Sequence, residues 1–123
     1  MKKDLTTLAD IQVMVDAFYD QVNQDDLLAP VFNDVAQVNW AKHLPLMYSF
    51  WNRVLFAEGD YRGKPFPKHL PLPINEAHFE RWVALFDANM DALFEGPIAD
   101  DAKLRARSIA HVFQAKLGLI EIL

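Results

Sequence analysis

The segment PFPKHLPLP, Pro65 to Pro73, decides where helices can lie in this chain. Four of its nine residues are proline, and each proline biases the residue before it away from the α region. Gly59 and Gly63 stand just upstream, so no helix of ordinary length fits between Glu58 and Asn75. His69 has one residue on either side before a proline intervenes, which leaves room for about one helical turn. A lone imidazole therefore sits in a stiff frame, between two regions whose pattern is helical.

Apolar spacing sets those regions. Thr7 with Asp10 forms a capping box with Asp in place of the usual Glu. Leu8, Ile11, Val15, Phe18, Tyr19 and Val22 then recur every three or four residues, which predicts a first helix over 7–23. QDDLLAPVFND predicts a turn and a short helix over 26–33, bounded or bent by Pro30. Asn39 is the expected N-cap of a helix with the stripe Trp40, His43, Met47, Phe50, Trp51, Val54 and Leu55. Pro45 inside it costs about 3 kcal/mol and predicts a kink or an offset first turn. Asn75 is the expected cap of the next helix, with Glu76 in its first turn and Phe79, Trp82, Val83, Phe86, Met90 and Leu93 on its buried face. EGP should close it, Gly96 as C-terminal cap and Pro97 as stop. Asp100 or Asp101 should begin a last helix running nearly to Leu123, with the stripe Leu104, Ile109, Val112, Phe113 and Leu117. No stretch alternates as a half-buried strand does. The expectation is an all-α fold with four principal helices in one domain, residues 1–123.

Composition removes several function classes. The net charge of −5 excludes nucleic acid as the main partner, because phosphate binding needs a basic face, and it argues against an anionic membrane surface. No apolar run approaches the ~20 residues of a membrane span, and MKKDLTTLAD carries no apolar run behind its lysines, so it is no signal peptide. There is no cysteine, hence no disulfide, thiol nucleophile or thiolate metal site, which fits a cytoplasmic protein. Nine Phe, three Trp and three Tyr point to a dense core or to a pocket for a flat ligand.

The sequence holds no Gly-rich phosphate loop, no His-Glu-x-x-His helix and no EF-hand. Ser49 and Ser108 fall within helices, away from any nucleophile elbow. Asp25/Asp26 and Asp100/Asp101 lie at helix starts, where acids cap. Four histidines remain, and no two stand three or four residues apart, so no helix presents a two-histidine zinc face. His43 shares a stripe with Met47 and Phe50: it is either a core histidine bonded to a carbonyl or a polar group facing a ligand. His78 stands four residues before Trp82 in a first helical turn and is a second metal-ligand candidate. His111 is two positions from Phe113 and reads as surface. His69 has the strongest claim to a metal, since an axial ligand of haem iron needs a fixed position but no cluster. The competing view of the proline-rich segment is a loop that docks on a partner's aromatic groove, though its prolines make no PxxP repeat.

Taken in order, FYDQV (Phe18 to Val22), LLAPVF (Leu27 to Phe32), HLPLMYSFW (His43 to Trp51), EGDYRGKP, KHLPLP, HFERWVALF (His78 to Phe86) and AKLRARSIAHVF (Ala102 to Phe113) resemble the third group of the truncated haemoglobins. The likeness covers nearly the whole chain, and the lack of Gly-Gly pairs agrees with that group. The resemblance implies a two-over-two helical sandwich holding one haem b, with His69 rather than His78 as proximal iron ligand. It implies Tyr19, His43 and Trp82 as distal polar residues and Phe32, Met47, Phe50, Trp51, Tyr61 and Phe86 as cofactor contacts. Arg62, Lys64 and Lys68 become candidates for the propionates. It further implies dioxygen, nitric oxide or peroxide as ligands, nitric oxide dioxygenase- or peroxidase-like chemistry, a reductase partner, and a monomer or weak dimer. The alternative is a cofactor-free helical interaction module.

Overall fold

The computed structural model describes residues 2–58 and 72–119. Four helices account for most of them, with no strand among the described residues. The first, α1, spans Leu8–Gln24 and starts on the capping box that Thr7 and Asp10 predict. The Thr7 hydroxyl accepts the Asp10 N–H at 3.3 Å, and the Asp10 carboxylate accepts the Thr7 N–H at 3.2 Å. The box is larger than the sequence suggests. Lys3 donates to the same carboxylate at 2.8 Å and the Thr6 N–H at 2.8 Å. These donors, Lys3 foremost, hold the Asp10 carboxyl well below the usual carboxylate range against the opposing effect of burial.

Asp25 turns the chain after α1, its carboxylate accepting the Leu27 and Leu28 N–H groups at 3.1 and 2.9 Å. The short helix expected over 26–33 is instead a turn followed by one π-helical turn, Val31–Val35, entered through Pro30. Proline supplies no N–H but fits an entry position, where that donor has no helical partner. Helix α2 spans Trp40–Phe56. Asn39 stands at its N-cap position but makes no side-chain cap bond. The helix runs uninterrupted through Pro45, although the missing amide removes the usual donor to the Ala41 carbonyl.

Helix α3 spans Glu76–Leu93. The Asn75 side chain accepts the Ala77 N–H at 2.9 Å, and His78 Nδ1 accepts the Asn75 N–H at 3.1 Å. This is a capping box with imidazole in the place of a carboxylate. The expected end of α3 and start of the last helix are both corrected. α3 closes on Phe94 as its C-cap, while Gly96 is the N-cap of α4, Pro97–Lys116, and Pro97 is its first residue. The cap comes from far away: the Asp4 carboxylate accepts the Ile98 and Ala99 N–H groups at 2.9 and 2.8 Å. Gly96 has φ 142°, and a Cβ there would stand 2.7 Å from Asp4 Cγ. Gly96→Ala is therefore expected to cost about 1–3 kcal/mol, read as a thermal midpoint lowered by several degrees. An unchanged midpoint would show that the Asp4 cap tolerates a side chain.

The stripe read for α4 is also corrected. Its buried residues are Ala99, Ala102, Ala106 and Ala110, whereas Leu104 is 60% and Val112 39% exposed. Small residues let α4 approach its neighbour closely, so the alanines rather than the large side chains form the seam. α1 packs on α2 and on α3, α3 packs on α4, and α2 touches α4, giving two helix pairs face to face. Ile11, Met14, Val15, Phe18 and Val22 of α1 meet Trp51, Phe86 and Met90 in the core. Three polar ties join the elements around it, the first buried and the other two at the surface. Asn89 donates to the Met14 carbonyl at 3.0 Å, Arg81 pairs with Asp25 at 2.6 Å, and the Tyr48 hydroxyl donates to Asp16. The Tyr48 phenol is pushed up to about 12, first by that bond to a carboxylate.

Candidate cofactor cavity

The two helix pairs enclose a cavity of about 570 Å³, within the ~300–1,000 Å³ of small-molecule and cofactor sites. Its walls come from every helix and from the π-helical turn. Of the residues marked in the sequence, Tyr19, Phe32, His43, Met47, Phe50, Trp51 and Trp82 all line it. Phe86 does not. It is 1% exposed and lies behind the wall, stacked on Trp51 at 5.0 Å and on Trp82 at 5.8 Å. Tyr61, Arg62, Lys64, Lys68 and His69 lie outside the described residues.

The three polar candidates arrive from three helices. Tyr19, on α1, is 7% exposed, and burial pushes its phenol well above the usual tyrosine value. It therefore stays protonated across the physiological range and remains a donor. His43, on α2, packs its ring 5.2 Å from Tyr19, nearly perpendicular at 80°, with Nε2 buried. Trp82, on α3, meets Phe18 edge-on at 5.7 Å. Neither the Tyr19 hydroxyl nor the Trp82 indole N–H is hydrogen-bonded to another described residue, so both can serve a guest in the cavity.

His78 also lines the cavity. Its Nδ1 stands 3.1 Å from the Asn75 N–H and 3.2 Å from the Asn75 Oδ1, so the ring finds a partner on Asn75 in either tautomer. The structure thus gives His78 a task at the start of α3. His111 is exposed, as the sequence suggests.

Several wall residues escape a sequence search. Leu28 comes from the turn after α1, Val31 from the π-helical turn, and Leu72 and Ile74 from the end of the proline-rich stretch. Leu72 and Ile74 alternate with Pro71 and Pro73, and that spacing was the available signal. Trp40 does not line the cavity but stands beside three residues that do. Its ring stands 5.2 Å from Tyr19, 5.8 Å from Phe32 and 5.5 Å from His43.

Aromatic and aliphatic faces, interrupted by a phenol, an imidazole and an indole N–H, suit a large flat apolar group with one polar reacting centre. Haem has that character. Among the described residues, no helix is long and apolar enough to cross a membrane.

Comparison with known proteins agrees. Residues 5–114 match the family described as bacterial-like globin. The group 3 truncated hemoglobin ctb of Campylobacter jejuni is 32% identical over 121 residues, covering 95% of each chain. The crystal structure of the group III truncated hemoglobin from Campylobacter jejuni superposes with a TM-score of 0.87 at 31% identity, over 98% of this chain and 97% of that one. The truncated oxygen-avid haemoglobin of Bacillus subtilis, at 23% identity, shares the fold with a TM-score of 0.74 over 87% of this chain and 92% of that one. Globins of this family bind diatomic ligands through haem. In sequence over 5–114, and in backbone over nearly its whole length, this chain belongs to the bacterial-like globins as a group III truncated haemoglobin.

Proposed function

We propose that this globin holds haem b on His69 and uses Tyr19, His43 and Trp82 to retain dioxygen, nitric oxide or peroxide for chemistry rather than bulk transport. The observation that carries this is the convergence of three polar side chains from three helices on one apolar cavity. Haem, when bound, supplies an iron with one protein ligand and an open face for a small molecule.

The chain's own residues supply the rest. Phe32, Met47, Phe50 and Trp51 offer apolar surface and exclude water. The Tyr19 hydroxyl, kept protonated by burial, and the Trp82 indole N–H, which can only donate, stabilise partial negative charge on a diatomic guest. His43 adds a group able to donate or accept. Prolines on both sides limit the backbone freedom of His69, and Arg62, Lys64 and Lys68 supply cations for propionates. Several donors around one small ligand slow its release, which favours reaction over delivery. A reductase partner and a cytoplasmic setting belong to the same proposal.

Titration of the purified protein with haemin tests it. A Soret band should saturate at one haemin per chain, and absence of uptake would sink the proposal in favour of a cofactor-free module. In the loaded protein, once reduced with dithionite and freed of excess reductant, Tyr19→Phe should speed dioxygen dissociation about tenfold, as expected for one hydrogen bond of ~1.4 kcal/mol. An unchanged rate would remove Tyr19 from the ligand site.

A further inference from the structure

We propose that Trp40 is a positioning residue for the Tyr19–His43 pair, and that an amide relay from Asn23 through Asn33 holds its indole in place. The proposal rests on the reading of Tyr19 and His43 as ligand-facing groups and adds what fixes them.

The relay joins three elements. The Trp40 Nε1–H donates to Asn33 Oδ1 at 2.9 Å. Asn33 Nδ2 donates to Asn23 Oδ1 at 2.9 Å and to the Ala29 carbonyl at 3.1 Å. An indole N–H is donor only, which assigns the Asn33 amide orientation: its oxygen faces Trp40 and its nitrogen faces the end of α1. Asn23 lies in the last turn of α1, Asn33 in the π-helical turn, and Trp40 is the first residue of α2.

One ring then meets three others. Trp40 stacks on Phe32 at 24° and meets His43 edge-on at 85°, with Tyr19 tilted against it at 57°. Trp40 and His43 are three residues apart and so share a helix face. The α2 N-terminus has no side-chain cap from Asn39, and the anchored indole ties this end of the helix to the π-helical turn and α1. Releasing the indole removes one of the ring contacts that set the rotamer of the imidazole three residues on. The relay itself runs through exposed side chains, Asn23 and Asn33, outside the cavity wall.

The test uses Trp40→Leu, Trp40→Phe and Asn33→Leu, first in haem-free protein. Imidazole nitrogen NMR should give one sharp set of His43 ring signals in the wild type. Trp40→Leu should broaden them or shift them toward exposed-histidine values. Asn33→Leu and Trp40→Phe, which each remove the indole–amide bond, should move them the same way by less. Their combination should add little, since both break one link. In the haemin-loaded protein reduced with dithionite, the C–O stretch of the carbon monoxide complex should be one narrow infrared band in the wild type and should gain a second band in the variants. Unchanged His43 signals in folded Trp40→Leu and Asn33→Leu would overturn the proposal. Should Trp40→Leu fail to fold by circular dichroism, Asn33→Leu decides alone: movement supports the relay and no movement overturns it. Failure of the wild type to take up haemin would defeat the proposed function, while the haem-free NMR would still decide Trp40.

Discussion

His69→Gly is expected to abolish the Soret band of the haemin-loaded protein, and imidazole added to the buffer should restore it. The imidazole of residue 69 is the one covalent tie that the proposed function gives the protein to the iron. Without it, retention rests on apolar contact from Phe32, Met47, Phe50 and Trp51. Free imidazole is the ligand group that the substitution removes. His78→Ala is the counter-experiment. Its Nδ1 serves the capping box of α3, so its loss should cost about 1 kcal/mol of stability and leave the Soret band in place. The opposite pair of results would assign the iron to His78.

The second large effect belongs to Phe86. Its ring is 1% exposed, stacked on Trp51 and on Trp82, with Phe18 edge-on at 5.3 Å. Phe86→Ala should lower unfolding stability by about 3–5 kcal/mol, the transfer term plus the cavity left behind. Denaturant unfolding reads this as a lower midpoint at unchanged slope. Trp51 and Trp82 lose their backing together, so haemin retention should fall with stability. A loss below about 1 kcal/mol would show that the site collapses around the deletion. Phe86 thus stands behind two residues of the cavity wall rather than in the wall itself.

Features that depend on near neighbours were legible. The Thr7–Asp10 box and the Asn75 cap involve residues within three positions of one another, and apolar spacing located α1, α2 and α3. The polar set Tyr19, His43 and Trp82 came from family resemblance, and the structure brings all three to one cavity. The misses share a cause. Gly96-Pro97 read as a stop, because the group that makes it a helix start is Asp4, more than ninety positions earlier. Leu104 and Val112 read as buried because they are large and apolar, whereas close approach of α4 selects Ala102, Ala106 and Ala110. Trp40 read as core because a stripe shows that a residue faces inward but not which ring it meets.

By itself, then, the order of residues determined the helical class, the local caps and the polar side chains available for a ligand. These follow from propensity, periodicity and proline geometry, which act within a few residues. Tertiary structure alone decided which helix starts where Asp4 lands, which small residues make the α4 seam, that Phe86 stands behind the cavity wall, and that Trp40 joins Asn33 to His43. Those outcomes depend on contacts between distant segments, where packing distance and hydrogen-bond reach matter and sequence spacing carries no information.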